Sequence, residues 1–202
     1  VPPTWVLRGG LGLSFAAGTF AAGSSNNPQH LMLAGPSGGV PNNPLPLIIW
    51  PRVALDEAQE EEPDLAGWFE QTFARNGWPP SWRYDIFPYT HYHPNTHELL
   101  GVAQGWAEVL FGGDTGRMVT LRAGDAVLIP AGVGHKQVYA SEDFMVVGAY
   151  PEGFAPETNR DEPARLRAAE QQVKQVPLPT RDPFTGKEGA LTDIWTPIAD
   201  HF

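Results

Sequence analysis

The alternation of apolar and turn-forming positions between residues 84 and 150 predicts a sheet-rich body. The apolar runs AEVLF, RMVTL, DAVLIP and DFMVVGAY are short and are separated by glycine, aspartate and proline. AEVLF and RMVTL flank GGDTG, which predicts a β-hairpin. No part of this block has the helical period of a crossover connection, so the predicted sheet is antiparallel and either closed or double-layered.

Helical spacing occurs on both sides of this block. In LAGWFEQTFARNGW the aromatic and aliphatic positions recur every three or four residues, with Pro63 suited to a first turn and Gly77 to the stop. A helix is therefore predicted over residues 63–76. A second helix is predicted in DEPARLRAAEQQVKQV, with Asp161 as candidate cap and Pro163 in its first turn.

The chain ends are rich in breakers and predict a single domain with extended flanks. Residues 1–46 contain GGLG, GSSNNP and GPSGGVPNNPLP, which indicate an extended N-terminal arm packing on the barrel, while LPLIIW at 45–50 indicates a buried strand. Residues 47–155 are predicted to form the barrel, preceded by helix 63–76. Residues 156–202 are predicted to form the C-terminal helix and a tail whose aromatic residues pack back on the body.

Composition narrows the classes of function. Of 202 residues, 42% are hydrophobic, which is enough for one sizeable core. The net charge of -10 disfavours nucleic acid as a partner, and the chain lacks the run of about 18 apolar residues that a membrane span needs. With no cysteine, any metal must be held by nitrogen and oxygen, and a cytoplasmic location is expected, although residues 1–28 faintly resemble a secretory signal.

The stretch YTHYHPNTHELLGVAQG concentrates the candidate chemistry. His91 and His93 are two residues apart, so on a strand both imidazoles project from one face, about 6.5–7 Å apart along the backbone, and can share an ion. Glu98 can return to the same face from the next strand. His97 is its neighbour and must point the other way, which predicts a rim or interface histidine bonded to backbone or water.

A distant histidine completes the pattern. His135 follows a strand and a glycine-rich turn in GDAVLIPAGVGHK. Taken alone it is typical of a turn histidine, but beside the first cluster it could supply a third nitrogen. Gln137 shares its strand parity and could orient a substrate or be a satisfied core amide. Trp106, Phe111 and Met145 are expected to be apolar barrel walls or core residues.

These two blocks resemble the paired motifs of the cupin family. His91, His93, Glu98 and Gly105 match the first motif, and residues 124–135, with Pro130, Gly132 and His135, match the second, 18 residues further on. Asp85 and Tyr139 depart from the usual glycine and asparagine, which puts the turn geometry in doubt more than the site. The resemblance covers residues 84–150 and is closest to a bacterial subgroup of single-domain, RmlC-like, metal-binding cupins.

The resemblance implies an all-β fold, the double-stranded β-helix or jelly-roll barrel, here with two short flanking α-helices and the N-terminal arm. It also implies one divalent transition metal ion held by His91, His93, Glu98 and His135. Three imidazoles and a carboxylate suit Fe, Mn, Ni or Zn, and also Cu. Four protein donors leave one or two positions for a ligand on a five- or six-coordinate ion.

Two classes of function remain open at this point. One is a metal-dependent enzyme, an oxygenase or isomerase, acting on a small organic molecule. The other is a noncatalytic metal- or small-molecule-binding protein, a sensor or store, because the same fold serves both. The resemblance and the long N-terminal arm further predict a homodimer.

Overall fold

Two antiparallel sheets form the body of the protein in the computed structural model, which describes residues 27–57 and 63–201. One sheet has the order β1-β2-β8-β5-β10-β3 and the other the order β11-β4-β9-β6-β7. The strands are β1 Gln29–Leu33, β2 Asn43–Trp50, β3 Pro80–Tyr84, β4 His91–Tyr92, β5 Glu98–Gln104, β6 Trp106–Phe111, β7 Arg117–Arg122, β8 Ala126–Ile129, β9 His135–Ala140, β10 Met145–Ala149 and β11 Asn159–Arg160. This architecture confirms the predicted jelly roll, including the β6–β7 hairpin.

Helices flank the sheets. They are α1 Val53–Glu57, α2 Leu65–Arg75, α3 Leu166–Lys174 and α4 Ala190–Ala199, with a 3-10 turn, Pro163–Arg165, leading into α3. The predicted helices correspond to α2 and α3, whereas α1 and α4 are additions that the sequence pattern did not reveal. No helix within the described ranges has both the length and the apolar character required to cross a bilayer.

Successive side chains along each strand of the six-stranded sheet point to opposite faces, and this creates two separate hydrophobic cores. On β5, Leu100 and Val102 point between the sheets, while Leu99 and Ala103 point outward toward the helices. The inner cluster therefore fills the barrel, and the outer cluster joins the sheet to α1, α2 and α4. Because Glu98 has the parity of Leu100, β5 delivers its carboxylate into the barrel interior.

Helix α2 packs on the outer face of β5. Its N-terminus is capped by Asp64, whose Oδ1 accepts a hydrogen bond from the Gly67 amide at 3.0 Å. Phe69 is fully buried over Gly101, where an added Cβ would lie only 2.5 Å from the ring. The glycine in the middle of a strand thus allows the helix to approach the sheet closely.

Helix α4 is anchored by contacts from distant segments. The Asp182 carboxylate accepts hydrogen bonds from the amides of Phe184 at 2.8 Å, Thr185 at 3.0 Å and Leu191 at 3.0 Å, the last within the first turn of α4. Trp195 is fully buried and donates its indole N–H to the Pro46 carbonyl at 2.9 Å. The tail therefore packs back on the body through an aromatic residue, as expected.

The segment before α3 corrects one prediction. Asp161 does not cap a helix: its Oδ1 accepts a hydrogen bond from the Gly39 amide, and the 3-10 turn begins after Glu162 without a side-chain cap. Asp161 instead ties the C-terminal segment to residues near β1. Residues 1–26, which include most of the predicted arm and nearly all of the signal-like stretch, lie outside the described residues, and the domain boundaries stay a prediction.

Candidate metal centre

Three histidines converge at one end of the barrel because of strand pairing. His91 on β4 is directly opposite His135 on β9, with ring centroids 4.0 Å apart. His93 follows β4, and its carbonyl accepts a hydrogen bond from the Gly132 amide at 2.9 Å, so the turn before His135 is tied to the first motif. The three rings offer nitrogens within 4.8 Å of one another, a grouping that could hold a metal ion.

Backbone carbonyls fix the tautomer of each ring. Nδ1 lies 3.1 Å from the Tyr89 carbonyl in His91, 2.8 Å from that of Glu157 in His93 and 3.0 Å from that of Val133 in His135. A carbonyl can only accept, so each Nδ1 carries a hydrogen, and Nε2 of a neutral ring is left with a free lone pair. This is the arrangement in which metal-binding histidines are usually held.

Glu98 lies against two of the three rings. Oε2 is 3.0 Å from Nε2 of His93, and Oε1 is 3.1 Å from Nε2 of His135. The contacts are within ion-pair distance, yet both Nε2 atoms are buried without a hydrogen-bond partner of acceptable geometry. Two donors at right angles on an ion with bonds of ~2.1 Å lie ~3.0 Å apart, so each of these two pairs has the spacing of donors to a shared divalent ion. The nitrogens that lie mutually within 4.8 Å belong to His91, His93 and His135, and Glu98 is outside that grouping.

Burial and neighbouring charges set the protonation of the cluster. Burial, reinforced by His135, lowers the pKa of His91 to about 3, so this ring is neutral and available as a ligand. Burial alone would raise the pKa of Glu98, but the facing imidazoles of His93 and His135 hold it well below its usual value. Burial likewise opposes charge on His93, whose pKa is nevertheless raised by Glu98 and the Glu157 carbonyl.

His97 points away from this cluster, as its strand parity predicted, but it is not a rim residue. It is buried, with Nδ1 accepting the Ala131 amide hydrogen at 2.9 Å and Nε2 donating to the Pro177 carbonyl at 3.2 Å. Its ring packs on Trp195 at 4.9 Å. Burial lowers the pKa of His97 to about 4, so it is a neutral structural residue. The predicted bond to backbone is present, but the predicted rim position was wrong because α4, which was not foreseen, packs against that face.

Other predicted neighbours of the site have ordinary packing roles. The Gln137 side chain accepts a hydrogen bond from the Ile86 amide at 3.1 Å, which is the satisfied-amide alternative. Phe111 is fully buried and stacks beside His135 with centroids 6.4 Å apart. Trp106 is 39% exposed and does not line the barrel interior, because it has the opposite strand parity to Ala107 and Val109, which face the inner core. Met145, by contrast, packs at the edge of the outer cluster.

Sequence reasoning missed two residues that touch the site through Glu98. Tyr150 donates its hydroxyl hydrogen to Oε2 of Glu98 at 2.6 Å, and Trp82 donates its indole N–H to the Tyr150 oxygen at 2.9 Å. The parity of Tyr150 with Val146 in DFMVVGAY signals an inward side chain. Its partners depend on which strands pair, and that information is not in the local pattern.

A cavity of about 440 Å³ lies beside the four side chains. Much of its wall comes from consecutive residues of β3 and the segment after it, and Pro156 and Thr158 also line it. The Phe87 ring, 38% exposed, stands edge-on to His91 with centroids 5.1 Å apart. The wall is therefore largely apolar or aromatic beside the polar donor cluster, as in many small-molecule sites.

Comparison with known proteins gives the family to which the chain belongs. Residues 85–147 match the family model described as the cupin domain. The matched segment contains His91, His93, Glu98 and His135, and it runs from the cavity wall to β10. The chain belongs to the cupin family.

Within that family the chain is similar to a protein of Bacillus subtilis (strain 168) called uncharacterized protein YjlB. The two are 42% identical over 159 residues, which cover 78% of this chain and 91% of that protein. At this identity and coverage the two chains are members of one cupin subgroup.

Several solved structures are similar to this chain at lower sequence identity. Procruciferin, an 11S globulin from Brassica napus, is 23% identical with a TM-score of 0.32, covering 36% of this chain and 19% of that one. Bacillus subtilis oxalate decarboxylase is 15% identical with a TM-score of 0.31, covering 68% and 28%. Acireductone dioxygenase from Bacillus anthracis is 20% identical with a TM-score of 0.30, covering 46% and 64%. The chain thus spans less than two thirds of each of these proteins.

Proposed function

We propose that this protein is a metal-dependent enzyme that binds one divalent transition metal ion through His91, His93, His135 and Glu98. The observation that carries the proposal is the orientation of the three rings. Each Nδ1 is engaged by a carbonyl, and the Nε2 atoms of His93 and His135 are buried beside the carboxylate without a hydrogen bond. Leaving such atoms unsatisfied is costly, and an ion would satisfy them together.

The donor set determines which ions suit the site. Imidazole nitrogens with one carboxylate favour Fe(II), Mn(II), Ni(II) or Zn(II), and with four protein donors a five- or six-coordinate ion keeps one or two positions for a ligand. When bound, the ion would supply a Lewis acid for substrate oxygens or a centre for redox chemistry. The negative charge of Glu98 offsets part of the ion's charge in this buried place.

The cavity supports a small organic substrate and chemistry of oxygenase or isomerase type. Its largely apolar wall would shield the reacting atoms from water, and the Phe87 ring would contact a ligand held near His91. Asp85 also lines the cavity, where the family pattern usually has glycine. It is a carboxylate outside the proposed ligand set and thus a candidate for moving a proton, which favours an enzyme over a noncatalytic binder.

Metal content tests the first half of the proposal. Protein purified without chelator or a nickel column should contain close to one transition metal ion per chain by elemental analysis. His93→Ala should lose most of it, because one donor is removed and the Glu98 charge is left unbalanced. His201→Ala, which changes an exposed histidine far along the chain, is the matched control. Equal metal in all three proteins would refute the site.

The open positions and the chemistry need separate tests. In Mn(II)-loaded protein, acetohydroxamic acid, a small ligand with two oxygen donors, should displace water and reduce the water-proton relaxation rate. An unchanged rate would contradict the open positions. Incubation with a metabolite extract should then deplete at least one compound with the parent protein but not with His93→Ala. A compound that binds and is recovered unchanged would indicate the noncatalytic alternative.

We also propose a homodimer that forms through a sheet edge. Among the described residues, strand β1 forms one edge of the six-stranded sheet, and its Met32 side chain is 49% exposed. An exposed edge with an apolar side chain is a surface on which a second chain can add. Light scattering at micromolar concentration should give about twice the chain mass, and a monomer would contradict the proposal.

A further inference from the structure

Trp82, Tyr150 and Glu98 form a directed chain of hydrogen bonds that ends at the proposed metal site. The indole N–H of Trp82 can only donate, so at 2.9 Å the Tyr150 oxygen must be the acceptor. The Tyr150 hydroxyl hydrogen is then free to point at Oε2 of Glu98, 2.6 Å away, in a short charge-assisted bond. The indole, which only donates, fixes the direction of the first bond, and the ionised carboxylate, which only accepts, fixes the direction of the second.

Three neighbouring strands bring these residues together. β10 lies between β5 and β3, with Ala149 opposite Leu99 of β5 and Gly148 opposite Trp82 of β3. Tyr150 follows Ala149 with inward parity and so faces Glu98, the residue before Leu99. Two of the three side chains therefore come from strands of the same sheet, β3 and β5, and Tyr150 comes from the residue directly after the strand between them.

Gly148 is required for this arrangement. A Cβ built at this position would lie 2.2 Å from Cε2 and 2.3 Å from Cζ2 of the Trp82 indole. Because the glycine has no side chain, the indole can lie across β10 and reach the Tyr150 hydroxyl. A glycine within a strand at a close approach of this kind indicates that the ring position matters.

We propose that Tyr150, oriented by Trp82, is a positioning residue for the metal ligand Glu98, an inference that rests on the proposed function. A carboxylate turns readily about its last torsion, and both oxygens of Glu98 face imidazole nitrogens. The bond from Tyr150 engages Oε2 and withdraws electron density from it. Oε1, beside His135, is left as the stronger donor, so the pair selects binding through one oxygen.

Burial supports this role over simple packing. Tyr150 is 4% exposed, and its hydroxyl lies 2.6 Å from Oε2 of Glu98, so this buried hydroxyl has the carboxylate as its acceptor. Its ring also stands edge-on to His93, with centroids 6.1 Å apart. Replacement by phenylalanine would keep the ring packing and remove only the bond to the carboxylate.

The test is Mn(II) binding to the full chain, followed by electron paramagnetic resonance of the bound ion. Tyr150→Phe should bind Mn(II) about 10- to 100-fold more weakly than the parent, as is usual when the partner of a ligand is removed. The zero-field splitting of the bound ion should also change, because both carboxylate oxygens become equivalent donors. Trp82→Phe should give a smaller change in the same direction. Tyr139→Phe, at an exposed tyrosine, is the matched control and should behave like the parent.

A parental affinity and spectrum in folded Tyr150→Phe would overturn the inference. If that variant does not fold, Trp82→Phe decides, and a parental spectrum there would overturn it equally. Failure of the proposed function has a different signature: His93→Ala would bind Mn(II) as tightly as the parent, and the inference would then fall with the site. Normal loss of metal in His93→Ala with no effect at Tyr150 would remove only the positioning role.

Discussion

Asp125 should make the stability of the fold depend on pH in a direction opposite to most carboxylates. Its side chain is buried, with Oδ1 accepting the Arg52 amide hydrogen at 2.9 Å and Oδ2 that of Arg122 at 2.7 Å. These bonds favour the charged form, but the loss of water around the carboxylate outweighs them and raises the pKa of Asp125 to about 6. The residue joins the β7–β8 turn to the chain entering α1.

The size of the effect follows from the shift. In the unfolded chain the carboxyl has its ordinary pKa of 3.8, so folding raises it by roughly two units, and each unit corresponds to about 1.4 kcal/mol. The protonated form favours the folded state, so its contribution is complete below pH ~3.8 and is lost as pH rises through ~6. Between pH 4 and pH 7.5 Asp125 should therefore reduce the free energy of unfolding by about 2.5 kcal/mol.

Urea denaturation of Asp125→Asn measures this contribution. The amide cannot ionise, so the parent should lose about 2.5 kcal/mol more than the variant between pH 4 and pH 7.5, whatever constant offset the substitution adds. The other ionisable groups are common to both proteins, so their contributions cancel when the two free energies of unfolding are subtracted. Asp114→Asn, at an exposed position in the β6–β7 turn, should follow the parent. A difference between parent and Asp125→Asn that is constant with pH, or that changes in the opposite direction, would refute the reasoning.

Three further substitutions test the packing that supports the site. Asp182→Ala removes three hydrogen bonds to backbone amides in and before the first turn of α4. It should lower the free energy of unfolding, measured in urea, by about 3 kcal/mol, and a loss under about 1 kcal/mol would contradict the capping role. Phe69→Ala should cost about 3–5 kcal/mol in the same assay, and a cost below about 1.5 kcal/mol would mean that α2 does not depend on this ring. Gly148→Ala should displace the Trp82 indole and shift its N–H resonance in proton NMR, whereas an unshifted resonance would show that the close approach is absent.

The sequence predicted the elements whose signals are local. The hairpin β6–β7, the strand that ends at Trp50 and helix α2 were all readable from apolar spacing and turn residues, because their signals lie within short stretches of the chain. The two motifs also pointed to His91, His93 and His135, whose nitrogens the structure brings together, with Glu98 beside two of the rings. The metal-ligand roles of these residues stay a prediction.

Elements stabilised by distant residues were missed for a physical reason. α4 begins after Gly189, which has no side chain to cap it, and contains Pro197, so its local sequence argues against a helix. The capping group comes from Asp182, and Trp195 anchors the helix to Pro46, far away in the chain. Without α4, the burial of His97 could not be foreseen.

The partners of Glu98 were hidden in the same way. The inward direction of Tyr150 follows from its parity with Val146, but its contact with Glu98 requires β10 to lie beside β5. The contribution of Trp82 further requires β3 to pair with the other edge of β10. A single sequence specifies the faces of its strands more clearly than the order in which they pair.

X-ray absorption spectroscopy of the metal-loaded protein tests the central claim most directly. The extended fine structure reports the atoms around the ion, and the multiple scattering of imidazole rings allows coordinated histidines to be counted. If His91, His93, His135 and Glu98 hold the ion together, the spectrum should require three imidazoles and at least one oxygen donor at ~2.0–2.2 Å. A bound ion whose spectrum requires one imidazole or none would contradict the account.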